Sequence, residues 1–178
     1  MRWCQCSAYQ REMVNYILFS IYENRTITWS RTWLHSLTRI SFTMIWWGQH
    51  ITYQSKLDIF KVCKQICIVP EHVHKTVFAT VLGTFRSQVM QMGDCNTPST
   101  FQWLMTTIFH DWISGFVHVY LDDIFIFSHS IEEDEKHLGI IFQWLWDHHL
   151  FHSKSKVNLY SKRLECLSHI IDDQGIHV

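Results

Sequence analysis

Proline and glycine are scarce in this chain, with two prolines and six glycines among 178 residues, fewer than a turn-rich domain of this length would carry. Excess charge is missing too. With a formal net charge of -1 and a pI near 6.9, nothing in the global balance announces a nucleic-acid binder, which usually shows a basic face or stripe. No apolar run approaches the ~18 residues that would suggest a membrane helix. The start, Met1-Arg2-Trp3, leads into a polar segment instead of the apolar core of a signal peptide, so the six cysteines read as reduced, intracellular thiols. There is no glycine-rich phosphate loop and no Gly-x-Ser-x-Gly elbow. No cysteine has a partner at the spacing that nucleophilic catalysis would show. Cys4-Gln-Cys6 and Cys63-Lys-Gln-Ile-Cys67, with thirteen histidines, lack the paired spacing of a zinc site. His148, His149 and His152 read as solvent-facing groups near a helix end, and His169 and His177 as core or edge residues of strands.

What is present is a chain of one-domain length, 47% hydrophobic, with apolar material enough for a sizeable core. Inside the apolar stretch Phe116 to Phe127 stand four residues, Tyr120-Leu121-Asp122-Asp123. An ionised carboxylate in an apolar setting is costly unless it is paired or binds a metal. The immediate flanks supply no Lys or Arg, and a divalent cation is the expected partner. Successive side chains on a strand point to opposite faces, so the two carboxylates share one site only if the backbone turns there. The segment reads as strand, turn, strand.

Residues 1–55 show weak periodicity and no assignable run of elements. Beyond them, Thr76 to Val81 and Thr84 to Met90 read as a hairpin bent at Leu82-Gly83. Thr97-Pro98 reads as an N-cap followed by proline at the first helical position. Phe101, Leu104, Met105, Ile108, Phe109 and Trp112 follow at helical spacing, with Gly115 as the stop. Ser130-Ile-Glu-Glu133 is a capping box ahead of a second helix with Leu138, Ile141, Phe142 and Leu145 on its apolar face. The acidic run Glu132, Glu133, Asp134, Glu135 reads as a solvated helix start favoured by the helix dipole. Val157 to Tyr160 and Leu164 to Ile171 read as short strands, with a turn at Asp172 to Gly175. This mixture of helices and hairpins predicts an α+β fold.

Two metal ions roughly 4 Å apart, held by carboxylates, suit phosphoryl-type transfer, and Mg²⁺ favours one or two carboxylates plus substrate phosphates. Bridging two ions calls for a third carboxylate, and Asp58 in Ser55-Lys56-Leu57-Asp58-Ile59-Phe60 is the best candidate. Taken alone, Asp58 reads more naturally as a helix N-cap or turn residue.

The ordered series Lys56-Leu-Asp58, Gln65-Ile66, Lys75 to Thr80, Gly83-Thr-Phe85, Val89-Met90, Gly93 to Gln102, Val119 to Ile124, Phe127-Ser128, Glu135 to Leu138 and Leu167-Ser-His169 resembles the reverse transcriptases of gypsy-type long-terminal-repeat retrotransposons. The resemblance is close from Lys56 to Val178 and weak over residues 11–40. It implies a polymerase-type palm at 56–178, an antiparallel sheet packed against helices, with 1–55 as an eroded, partial fingers subdomain. It also implies Asp58, Asp122 and Asp123 as the catalytic and metal-binding triad for two Mg²⁺, with Mn²⁺ as substitute. The implied partners are an RNA or DNA template with its primer and deoxynucleoside triphosphates, with no membrane. Ile59, Phe60, Lys61, Val62 and Cys63, together with Gln91 and Met92, are then expected to line the nucleotide site. Leu167, Ser168 and His169 are expected to grip the primer.

The sequence also departs from that pattern. Cys63 stands where the family carries Tyr or Phe against a ribose 2′-hydroxyl, Ile17 where a basic residue is usual, Trp33 and His35 at proline positions, and Ser168 at a glycine. No thumb or RNase H segment follows Val178, which reads as a truncated or decayed copy. The alternative to a working nucleotidyltransferase is therefore a catalytically dead remnant with at most a structural or interaction role.

Overall fold

The computed structural model describes residues 51–178, apart from positions 96, 114, 167, 168, 173 and 178. The expected fingers-like contacts of residues 1–50 lie outside the described residues, as do Leu167 and Ser168. Four strands form the central antiparallel sheet: β1 (Tyr53–Asp58), β4 (Val117–Tyr120), β5 (Asp123–Ser128) and β6 (Asn158–Ser161), in the spatial order β4-β5-β1-β6. Two helices, α1 (Thr97–Ile108) and α2 (Ile131–Asp147), cover one face. A three-stranded sheet, β7 (Leu164–Cys166), β8 (His169–Asp172) and β9 (Gly175–His177), meets the other. Between β1 and α1 a small hairpin stands apart, β2 (Val77–Thr80) with β3 (Gly83–Arg86). No helix among the described residues is long and apolar enough to cross a membrane.

Strand alternation divides the side chains between two cores. Ile124 and Ile126 of β5, with Val117, Val119 and Leu57, point into the helix-covered core beside Leu104, Met105 and Ile141. Phe125 and Phe127, one residue out of step, pack with Leu164, Cys166 and Ile171 of the second sheet. Strands β4, β5 and β1 are thus largely buried on both faces, while β6 is mostly exposed. The helical spacing is as expected: Phe101, Leu104, Met105, Ile108 and Phe109 are buried, and Trp112 packs against the core margin. α1 itself ends at Ile108, well before Gly115.

Several boundaries differ from those read off the sequence. Thr97 is already helical, and its hydroxyl donates to the Gln91 carbonyl (2.8 Å) instead of capping. The β2–β3 bend falls at Val81-Leu82, and Gly83 opens β3 with φ 129°, a value that glycine tolerates and other residues rarely adopt. The stretch Leu164 to Ile171 is two antiparallel strands, not one. At α2 the Ser130 hydroxyl accepts from the Glu133 amide (3.2 Å), while the Glu133 carboxylate reaches the amide of His129 (2.7 Å), one residue before the cap.

The larger correction concerns Asp134. It is not solvated but fully buried, accepting from the Ser55 hydroxyl (2.5 Å) and the Ser128 hydroxyl (2.8 Å). Since Ser128 has one proton and spends it on Asp134, His137 Nδ1–H must be the donor across their 2.9 Å contact. Ser55 in turn accepts from the Tyr160 amide (3.0 Å). The network bolts the first turn of α2 to β1, β5 and β6. Its signal in the sequence, a Ser on each of two strands, is invisible without the register that sets Ser55 beside Ile126 and Tyr53 beside Ser128.

Candidate active site

The expected hairpin is present. β4 runs into β5 through a two-residue loop, Leu121-Asp122, closed by the pair Tyr120 and Asp123. Leu121 takes φ 49°, a sign that two-residue hairpin loops favour and that a non-glycine residue adopts only when its surroundings hold it. Two bonds hold this loop. The Asp122 carbonyl accepts from the Ile59 amide (2.7 Å), tying the loop to the end of β1. On the opposite side, the Leu121 amide donates to Gln102 Oε1 of α1 (2.6 Å).

Register then brings in the third carboxylate. Asp58, the last residue of β1, is the cross-strand partner of Asp123, and directly opposed residues project from the same face with their Cβ atoms ~5 Å apart. Asp122 sits in the loop beside them. Asp58, Asp122 and Asp123 therefore gather at one end of the sheet, on three backbone positions that the sheet and the loop fix independently.

These carboxylates also have lysine partners that the sequence reading did not name. Lys56, two residues before Asp58 and on the same sheet face, places Nζ 2.8 Å from Asp123 Oδ2 and over the Phe125 ring. Lys156 places Nζ 3.0 Å from Asp58 Oδ2. The counter-charges come from a neighbouring strand and from a segment almost a hundred residues away, not from the apolar flanks. Burial pushes the Asp123 carboxyl above its usual range, Lys56 pulls it down, and the negative charges of Asp122 and Asp58 push it up again. Lys156 is raised by its bond to Asp58 and by the field of the three aspartates. The donor type, carboxylate oxygen with surplus negative charge, fits a hard divalent cation. Two of the three side chains are turned toward lysines, and among the described residues no three His, Cys, Asp or Glu side chains converge on one point.

Around the triad, Ile59 to Cys63 leave β1 along a path fixed by residues 151–153. The Phe60 amide donates to the Phe151 carbonyl (2.8 Å), and the Ser153 amide to the Asp58 carbonyl (2.7 Å). Gln65 bridges the carbonyls of Phe60 and Phe151 and accepts from the Phe151 amide (2.8 Å). Lys61 turns the chain with φ 48°. Ile59 and Cys63 are buried, Phe60 is half exposed, and Val62 packs at the core margin. The Cys63 thiol is pushed up by burial, and it also feels Asp122 and Asp94, which places it within the field of the acid loop. Met90, the residue before Gln91, donates its amide to the carbonyl of Ile66, three residues past Cys63 (2.9 Å). Met92 is 88% exposed. His169 opens β8 opposite Cys166, whose thiol burial drives to about 12 and which senses Lys56 and Asp123. The strand before His169 thus passes close to the acid cluster.

Over residues 11–171 the sequence matches the family described as reverse transcriptase (RNA-dependent DNA polymerase). The chain belongs to the reverse transcriptase family. Reverse transcriptase relatives include the retrovirus-related Pol polyprotein from transposon 297 of Drosophila melanogaster, 34% identical over 124 residues. That match takes in 70% of this chain and 12% of the relative. An RNA-directed DNA polymerase homolog of Oenothera berteroana is 36% identical over 93 residues, 51% of this chain and 66% of the relative. The chain thus spans only a small part of the transposon polyprotein. In structure it is similar to the foamy viral protease-reverse transcriptase in complex with an RNA/DNA hybrid, with a TM-score of 0.67 and 20% identity over 73% of this chain and 18% of that one. The fold is that of a reverse transcriptase polymerase domain, mixed helix and antiparallel sheet.

Three participants escape a reading of the sequence alone. Lys56 and Gln102 sit inside the motif blocks without a role that those blocks assign, and Lys156 carries no signal. Charge complementarity across strands could have suggested Lys56, since it lies at period-two spacing from Asp58.

Proposed function

We propose that this chain is the polymerase palm of a gypsy-type long-terminal-repeat retrotransposon reverse transcriptase, with the palm at 56–178 and a fingers-like segment at 1–55. It would add deoxynucleotides to a primer on an RNA or DNA template. The observation that carries the reading is the meeting of Asp58, Asp122 and Asp123 at one sheet end, two of them as cross-strand partners and the third in a pinned loop. Divalent cations, Mg²⁺ or in its place Mn²⁺, supply activation of a hydroxyl and neutralisation of phosphate charge; Asp58, Asp122 and Asp123 would hold them. Ile59 to Cys63, with Gln91 and Met92, line the nucleotide side, and Cys63 is the small residue that leaves room at the sugar. Leu167, Ser168 and His169 take the primer side. The RNA/DNA hybrid held by the foamy viral enzyme supports a nucleic-acid partner.

One observation favours a second reading, a catalytically inactive member of the family. Lys56 and Lys156 already neutralise two of the three carboxylates. Extension of a labelled primer on an RNA template separates the two. Extension that requires Mg²⁺ or Mn²⁺ and falls about a hundred- to a thousandfold in Asp122→Asn, the scale of losing an electrostatic catalytic group, is expected of the working enzyme. Wild-type extension no greater than that variant's would leave the inactive reading in place.

A further inference from the structure

Among the described residues β4 is an edge strand, with β5 on one side and, on the other, no strand beyond a single bridge of Ile113 to Val117 at its start. Because Tyr120 and Asp123 close the hairpin, Tyr120 directs its amide and carbonyl toward β5, while Val119 and Leu121 direct theirs outward. An outward edge ordinarily leaves such groups to solvent or to another chain. Here the side-chain amide of Gln102, in the middle of α1, meets both. Nε2 donates to the Val119 carbonyl (3.1 Å), and Oε1 accepts from the Leu121 amide (2.6 Å). One carboxamide thus pairs with β4 as a neighbouring strand would. Its orientation is settled by the chemistry, since a flipped amide would set NH₂ against N–H and C=O against C=O. A further contact, Nε2 to Thr106 Oγ1 at 3.2 Å one helical turn on, steadies the side chain on its own helix.

The clasp lies at a sensitive place. Leu121 has the positive φ that turns the loop, its amide is one of the two groups gripped, and Asp122 is the next residue. α1 itself is anchored by Phe101, Leu104 and Met105, all essentially inaccessible to solvent, so Gln102 transmits a fixed position. From the opposite side Ile59 holds the Asp122 carbonyl. The loop is gripped at both of its residues, from two different elements.

We propose that Gln102 is a positioning residue for the acid loop: by completing the edge of β4 it holds Leu121 in its strained conformation and so sets the direction of the Asp122 and Asp123 carboxylates. This rests on the reading of those carboxylates as metal ligands. Two variants of the full chain test it. Gln102→Met keeps the length and removes both hydrogen bonds, while Gln102→Glu keeps the acceptor for the Leu121 amide and loses the donor to Val119.

Amide hydrogen exchange at Leu121, followed by NMR, reads the clasp, and paramagnetic titration with Mn²⁺ reads the carboxylates. In Gln102→Met, Leu121 exchanges at least about tenfold faster while Phe101 to Met105 keep their protection. Its Mn²⁺ affinity falls about 10–100-fold, the scale on which partners of metal ligands act. Gln102→Glu retains Leu121 protection. Leu121 exchange indifferent to Gln102→Met would overturn the clasp, and faster exchange with unchanged Mn²⁺ affinity would overturn the positioning role. Should Gln102→Met fail to fold, a Leu121 amide left unprotected in Gln102→Glu would overturn the clasp equally. Absence of Mn²⁺ binding by the wild-type chain, with the clasp intact by exchange, would overturn the metal reading instead.

Discussion

Lys56 carries more of the site's electrostatics than its place in the sequence suggests. With Asp58 and Asp123 directly opposed, like charges face each other across two strands, an arrangement that is destabilising on its own. The ammonium of Lys56 lies 2.8 Å from one of them, and both partners are mostly withdrawn from water. Lys56→Met should therefore cost the metal-free chain about 1–3 kcal/mol, the penalty of leaving a largely buried charged group without its partner. Urea denaturation would measure it. Added Mg²⁺ should return part of that loss, because an ion that binds only the folded chain stabilises it by mass action. A Lys56→Met chain as stable as wild type would mean that Asp123 has no need of a counter-charge. At this scale the sequence was half legible. The two adjacent aspartates announced a requirement for positive charge, but which charge answers it depends on strand register and on a distant loop, and neither leaves a local pattern.

β4 carries a second consequence of double-sided burial. His118 alternates with Val117 and Val119 and faces away from the helices, where burial drives its imidazole down to about 4. In the unfolded chain it titrates near 6.5. The unfolded state therefore binds the extra proton first as pH falls. The stability that neutral His118 contributes is complete above about pH 6.5 and is lost progressively down to about pH 4. Between pH 7 and pH 5 the loss from this group is about 2 kcal/mol, because a proton taken up by the unfolded chain alone costs about 1.4 kcal/mol for each pH step below its titration point. Chemical denaturation at the two pH values should show it, and His118→Phe should flatten that part of the profile; an unchanged slope would deny that His118 is its source. Elements whose faces differ in polarity were readable: α1 and α2 from helical spacing, the acid hairpin from its apolar flanks. Position-specific features were less so. The β2–β3 bend moved by one residue, because Gly83 serves the start of a strand and not the loop. Asp134 hid within an acidic run, because only its helical phase separates it from its solvated neighbours.

At the scale of the molecule, one sheet whose inner strands are buried on both faces presents three carboxylates at one end and leaves the opposite end to the Ser55, Ser128 and Asp134 network. The first is the proposed site of chemistry, and the second fixes the helix that backs it. Family resemblance from Lys56 onward predicted this architecture because the motif blocks are local and ordered. The lysine partners and the Gln102 clasp could not be read that way, since each joins blocks far apart in the chain. The central claim is that Asp58, Asp122 and Asp123 act as one divalent-cation site despite their lysine partners. Paramagnetic titration of the wild-type chain and of Asp123→Asn with Mn²⁺ tests it most directly. Saturable binding by the wild type, weakened at least about tenfold in Asp123→Asn on the scale set by losing a metal ligand or its support, is the expected result. No saturable binding, or binding that Asp123→Asn leaves unchanged, would contradict it.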